Sequence, residues 1–300
     1  MKKLPVLSSL LAASLALVSP AARAADAPKP LKVLLLAGGC CHDYAKQKDI
    51  LKTGIEQRAN AVVDIIYTGE GEKDANGKQD MTKPKLPIYG NADYAKGYDV
   101  VIHDECAAGI TDPAVIAAVL KPHQDGIPGV NLHCAMHCYR FGDFGKPVAA
   151  GADNAKWYEY LGLQSTGHGP QEPIEVSYTD KESPITKGMA DWTTIKEEHY
   201  NNIQVFPTAH VIARGKQTTH NKKKQADGTE TVEDKTTETI VVWTNMYNAK
   251  TRVFSTTIGH NNATVEDAKY LDLVTRGVLW ATNHINPDGT PAKGYGPGGK

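Results

Sequence analysis

Residues 128–140 read PGVNLHCAMHCYR, and the fold turns on how this stretch is parsed. Val130 and Leu132 belong to a short apolar run that stops abruptly at His133 and Cys134. Small residues and a helical continuation follow. In an open parallel sheet, ligands bind beyond the carboxyl ends of the strands. A residue at a tight strand-to-helix turn there is pushed into the crevice, as in a nucleophile elbow. The residue at this corner is His133, where hydrolases and amidotransferases of that architecture place Ser or Cys.

The runs on either side repeat the pattern. Residues 31–37 (LKVLLLA) are apolar without alternation, which suits a strand covered on both faces. The turn GGCCHDY follows, then a helix over 45–59 and a strand over 61–67. Residues 69–97, rich in Gly, Lys, Asp and Pro, read as an irregular surface excursion. A strand over 98–103 leads to Thr111-Asp112-Pro113, a helix start running to about Leu120. A strand at 129–132 and a short helix over 154–161 complete an order that implies a doubly wound, mainly parallel α/β sheet. Further C-terminal strands are expected at 173–178, 209–213, 238–244 and 252–258. Residues 216–236 form an exposed hairpin or loop, and 265–284 a long amphipathic helix.

A chain of 300 residues supports one large α/β domain. The expected organisation is a signal peptide over 1–24, a linker over 25–30, one domain over 31–286 and a flexible Pro/Gly-rich tail over 287–300. Lys2 and Lys3, the apolar run 4–18 and Ala22-Arg23-Ala24 have the form of a secretory leader. That run is short for a span of about 20 residues. Cleavage after Ala24 leaves 30 basic and 34 acidic side chains, a net charge of −4. The expected location is periplasmic or extracellular, without a stable membrane anchor. Nothing in the charge balance suggests a nucleic-acid partner. The five cysteines, Cys40, Cys41, Cys106, Cys134 and Cys138, form no familiar disulfide spacing. They read as small buried residues around a pocket, with metal ligation or one disulfide as the alternative.

Histidines gather at predicted strand ends: His42, His103, His133 and His260. His168 sits in Gly167-His168-Gly169-Pro170, read as a tight loop. Several imidazoles with one carboxylate suit acid–base chemistry or a divalent transition metal. The segment Lys196-Glu197-Glu198-His199-Tyr200, read as a loop, is the best carboxylate source. His103 is taken as a surface polar residue, and His123, His220 and His284 as solvated. No G-x-G-x-x-G, P-loop lysine, G-x-S-x-G, C-x-x-C or H-E-x-x-H is present, so nucleotide binding has no support.

Taken in order, LLLAGG-x-x-HDY, Leu132-His133-Cys134-Ala135, Tyr158-x-x-Leu161-Gly162 and Gly167-His168-Gly169-Pro170 resemble the ThuA-like (trehalose-utilisation) family. So do Ser183-Pro184-Ile185-Thr186-Lys187-Gly188, Glu197-Glu198-His199-Tyr200 and Arg252-Val253-Phe254-x-x-x-Ile258-Gly259-His260. The resemblance spans about 32–285. Ser183, Glu197 and Thr251 stand where that family usually has His, Asp and Gly. The resemblance implies a flavodoxin-like, class I glutamine amidotransferase-like fold, and a link to carbohydrate and oxidised (3-keto) disaccharides. Glutaminase activity is not expected, because His133 holds the corner. Cys134, one residue on, would point elsewhere if the strand continued.

The expectation is an exported hydrolase or lyase acting on a small carbohydrate. His133, His168 and Glu198 are the candidate catalytic residues. Tyr44, Tyr139, Tyr200 and Asn261 are the candidate substrate contacts. His42, His133, His168 and His260 are candidate ligands for Zn²⁺ or another divalent ion. The alternatives are a non-catalytic carbohydrate-binding or scaffold module using Tyr44, Trp157, Tyr158 and Tyr200 as platforms, and an amidotransferase using Cys134.

Overall fold

A computed structural model describes residues 28–225 and 229–300. The expected leader at 1–24 and the first residues of the linker lie outside them. Five strands form the parallel core: β1 (Leu31–Gly39), β2 (Ala61–Thr68), β5 (Val100–Cys106), β6 (Gly129–Leu132) and β11 (Thr251–Thr256). They lie in the order β2-β1-β5-β6-β11. Counting only these strands, that is the 2-1-3-4-5 order of flavodoxin-like sheets. Four strands extend the sheet antiparallel beyond β11: β10 (Glu230–Tyr247), β9 (Ala209–Lys224), β7 (Leu163–Tyr178) and β8 (Trp192–Val205).

Helices cover both faces of the parallel part. On one face, α1 (Tyr44–Arg58) and α5 (Ala268–Ala281) contribute Leu51, Ile55, Leu273, Val274 and Val278 to a core with Val33, Leu35, Ile102, Val130 and Phe254. On the other, α2 (Pro113–Asp125) and α3 (Lys156–Leu161) place Ile116, Val119, Leu120 and Trp157 against Leu34, Leu36 and Val101. Alternate β1 residues thus serve opposite cores, the period of two that a doubly covered strand requires. Asp112 caps α2 by accepting from the Ala114 N–H, with Pro113 in the first turn, and Gly126 ends it at φ 114°.

Several expectations need correction. The excursion after β2 contains the hairpin of β3 (Gly71–Lys73) and β4 (Gln79–Pro84), and it buries Leu86, Ile88, Tyr94 and Ala95 in the second core. It does the work of a covering helix without being one. Residues 167–170 and 196–200 are not loops; they lie within β7 and β8. The polar stretch at 216–236 is a paired arm of β9 and β10, with residues 226–228 undescribed. The expected single helix over 265–284 is two, α4 (Asn262–Val265) and α5, broken where Asp267 caps α5.

The C-terminal tail docks where a flexible segment was expected. Asn60 donates its backbone N–H to Tyr295 O and its side-chain amide to Gly294 O, both at 2.9 Å. The Tyr295 ring packs on His284 with centroids 3.7 Å apart. No described helix is long and apolar enough to cross a membrane.

Candidate functional site

The carboxyl ends of β1, β6 and β11 and the middle of β8 meet in one place. His42 follows β1 after Gly38 and Gly39, whose φ of 136° and 106° turn the chain off the sheet. His133 begins a 3₁₀ turn at φ 43°, a left-handed conformation at the strand end that a non-glycine residue seldom adopts. His260 follows β11 and Gly259, at φ 132°. Glu198 comes from β8, in a run from Glu197 to Tyr200 whose successive residues are all buried. Glu197 is fully buried and accepts the backbone N–H groups of His260 (2.9 Å) and Asn261 (3.1 Å). Gln47, from α1, donates to Gly259 O and His260 O. The turn bearing His260 is therefore fixed from two elements.

One ring nitrogen each from His42, His133 and His260, and one Glu198 oxygen, lie within 4.8 Å of one another. Glu198 Oε2 is 3.3 Å from His133 Nε2, and Oε1 is 3.1 Å from His260 Nδ1. Edges of a tetrahedral site with bonds of 2.0–2.2 Å are about 3.3–3.6 Å. Each imidazole is engaged on its outer nitrogen. His133 Nδ1 donates to Thr257 O at 2.6 Å, His42 Nε2 meets Cys134 Sγ at 2.8 Å, and His260 Nε2 meets the Gln171 side-chain amide at 2.8 Å. The other nitrogens, His42 Nδ1, His133 Nε2 and His260 Nδ1, are all buried without a hydrogen-bond partner of acceptable geometry. Buried polar atoms are ordinarily satisfied. Three buried imidazole nitrogens facing one carboxylate without a well-formed hydrogen bond, each with its far nitrogen oriented by another contact, have the form of a metal site with its supporting shell. The donor set fits Zn²⁺ or a similar divalent ion. For His260 this requires the Gln171 amide to present its oxygen to Nε2–H, an exchange that leaves heavy-atom positions unchanged.

Without an ion, the electrostatics favour ligation at His42 and Glu198 and a proton at His260. Burial, and then His133 and His260, push His42 down to about 3, so it stays a neutral donor at physiological pH. Burial alone would raise the Glu198 carboxyl, but His133 and His260 hold it well below the usual carboxylate range. The Glu198 carboxylate in turn raises His260.

Not every expected residue joins this centre. His168 is at its rim, 42% exposed in its side chain, with Nε2 3.5 Å from Glu198 Oε2. It belongs to no four-ligand group, so its place among the metal ligands is corrected to the mouth of the site. Asn261 lines a cavity of about 370 Å³ with Cys41, His42, Asp43, His260 and Asn262. Tyr200 packs its ring on His133, His137 and His168 and forms a wall. Tyr44 is buried edge-on to His42. Tyr139 is misassigned: it is buried in the second core, and its hydroxyl donates at 2.8 Å to Glu105 Oε1, the oxygen that also meets His103 Nδ1.

His103 and His123, expected at the surface or solvated, are fully buried and paired through their Nε2 atoms at 3.0 Å, with His103 Nδ1 on Glu105. Of the cysteines read as buried, Cys41 is exposed and Cys40 half-buried. Cys134 does not point elsewhere, because the chain turns at His133 instead of continuing as a pleated strand. Residues that pattern reading passed over are Gln171, Thr257, Gln47 and His137; no periodicity singles them out.

A second polar groove, about 540 Å³, opens beside His168 and Tyr200 and is lined further by Asn201, Asn202, Gln217 and Lys235.

Residues 53–281 match the family model described as ThuA, trehalose utilisation. The chain belongs to the ThuA family. Among solved structures, this ThuA chain is similar to a protein described as ThuA-like from Parabacteroides merdae. That match has 20% identity and a TM-score of 0.56, and covers 88% of this chain and 97% of that one. A GMP synthase component from Thermoplasma acidophilum, so described, aligns at 12% identity and a TM-score of 0.45, covering 85% and 96%. No curated protein matches. The ThuA membership and the first likeness agree with the mixed α/β fold read from β1 to β11.

Proposed function

We propose that this ThuA protein is an exported, metal-dependent hydrolase or lyase acting on a small carbohydrate, with oxidised disaccharides as the favoured class. The observation that supports it most is the convergence of three buried imidazole nitrogens on Glu198, two of them within 3.3 Å of its oxygens and none in a well-formed hydrogen bond. His42, His133 and His260 would hold the ion, and Glu198 would complete the set or act beside it. A bound divalent ion would supply a Lewis acid and a water of lowered pKa. The chain's own groups do the rest. His168 sits 3.5 Å from Glu198 and open to solvent, where it can pass a proton to or from a sugar oxygen. The buried Tyr200 ring forms one wall, packed on His133 and His168. Asn261 on one side, and Asn201, Asn202 and Lys235 on the other, offer donors and acceptors to hydroxyl groups.

The binding-module reading calls for exposed aromatic platforms. Tyr44, Trp157, Tyr158 and Tyr200 are all buried, which favours the catalytic reading. The pattern of residues 1–24 supports export, and N-terminal sequencing of secreted material should begin at Ala25. The functional test is metal content by elemental analysis, with turnover of trehalose and a 3-keto-disaccharide before and after chelation. His133→Ala and Glu198→Gln should lose both metal and turnover. Full activity in the His133→Ala protein would sink the assignment.

A further inference from the structure

A second group of ligand atoms lies beside this centre on the same rim, with Cys41 lining the cavity that His42 and His260 also line. Cys40 Sγ is 3.2 Å from Cys106 Sγ and 2.7 Å from Cys41 Sγ. All three sulfurs fall within 4.8 Å of one another. They sit between β1 and β5, where the strand order reverses. In doubly wound sheets that switch point is where ligands bind.

The backbone is shaped for this approach. Gly39 pairs with Cys106 across the two strands, and a Cβ on Gly39 would come within 2.2 Å of Cys106 O. Only a glycine lets the two strand ends close far enough for the thiols to meet. Cys41 is held at φ 84°, a backbone conformation that a non-glycine residue seldom adopts. The group grades from exposed Cys41 through half-buried Cys40 to buried Cys106, so it opens to solvent on one side.

Two chemistries could relieve three thiols so close together. A disulfide joins two sulfurs at about 2.05 Å and leaves the third over. Joining Cys40 to Cys41 is disfavoured, because neighbouring Cα atoms are about 3.8 Å apart and disulfides usually need at least about 4.4 Å. A cation with bonds of about 2.3 Å needs sulfur–sulfur edges near 3.8 Å and uses all three donors. We propose that Cys40, Cys41 and Cys106 form a second, all-thiolate metal site for a soft closed-shell cation, Zn(II) or Cu(I) in class. Its fourth position faces solvent beside Cys41. The site is distinct in donor chemistry from the imidazole–carboxylate centre and does not depend on the activity proposed for it.

Co(II) is the probe. The full chain, reduced and stripped of metal, is titrated anaerobically and followed by absorption. A second equivalent should bind with a sulfur-to-cobalt charge-transfer band in the near ultraviolet. Cys106→Ser should lose that band and keep the first equivalent. His133→Ala with Glu198→Gln should do the reverse. Should Cys106→Ser fail to fold, Cys41→Ser at the exposed position serves the same purpose. Zn(II) should also slow maleimide labelling of Cys41 in the wild-type protein. Absence of the sulfur band in the reduced chain overturns the proposal, as does its survival in both cysteine variants. A chain isolated with Cys40 bonded to Cys106 that takes no second cobalt after reduction overturns it too.

Discussion

Gln171 touches His260 Nε2 and is no part of the ligand set, so it tests whether the outer hydrogen bonds matter. Removing such a partner typically costs 10–100-fold in metal affinity. Gln171→Ala should therefore weaken Zn²⁺ binding by about that factor in a chelator competition, while leaving the folded structure intact. An unchanged affinity would mean the imidazole is oriented by Glu198 alone. Gly259 makes a steric argument of the same scale. Its φ is 132°, and a Cβ there would lie 2.7 Å from the Tyr270 hydroxyl. Gly259→Ala should destabilise the protein by about 1–3 kcal/mol, read as a lower urea midpoint.

At the scale of the element, Glu197 shows why β8 matters more than its sequence suggests. Its carboxylate ties the strand to the turn that carries His260, satisfying two backbone N–H groups in a fully buried place. Glu197→Ala leaves both donors unpaired, which should cost about 2–4 kcal/mol and displace His260. Urea unfolding should show the loss, and metal affinity should fall with it. Glu197→Gln keeps one acceptor and should cost less than half as much. Equal effects from the two variants would mean the cavity, not the hydrogen bonds, sets the loss. The neighbouring residue Glu198 is also buried and faces the imidazoles, in a stretch of β8 paired in step with Gln171 and Glu172 and bounded by register shifts on both sides.

For the whole molecule, the buried His103–His123 pair predicts acid sensitivity apart from the site. Burial, then His103, pushes His123 down to about 3, against roughly 6.5 in the unfolded chain. Below 6.5 the unfolded chain takes up the proton and the folded one does not. The contribution is complete above pH 6.5 and declines as the pH falls toward 3, by about 1.4 kcal/mol per unit. Between pH 7 and pH 5 this histidine alone should lower the unfolding free energy by about 2 kcal/mol. Chelator-treated His123→Gln should show a shallower decline by about one proton; an identical slope would contradict the burial argument. Separately, deletion of residues 287–300 should lower Tm, since Asn60 and His284 lose their partners.

The sequence by itself determined the parallel core. Apolar runs such as 31–37 have only one stable home, a strand covered on both faces, and the glycines and histidines after them mark the strand ends. Those signals also located His42, His133 and His260, because strand termini are where an open sheet presents side chains to a ligand. The Glu197-Glu198 pair stands out in the sequence only as a charged segment read as a loop, and it lies in the middle of β8. Tertiary structure alone decided which side chains meet. His103 and His260 have similar local signatures, yet one is buried against His123 and the other closes on Glu198. The difference lies in which element is laid alongside: β8 brings Glu198 to His260, and α2 brings His123 to His103. This leaves no trace in local periodicity, because ring contacts such as His42–His260 join residues more than two hundred positions apart.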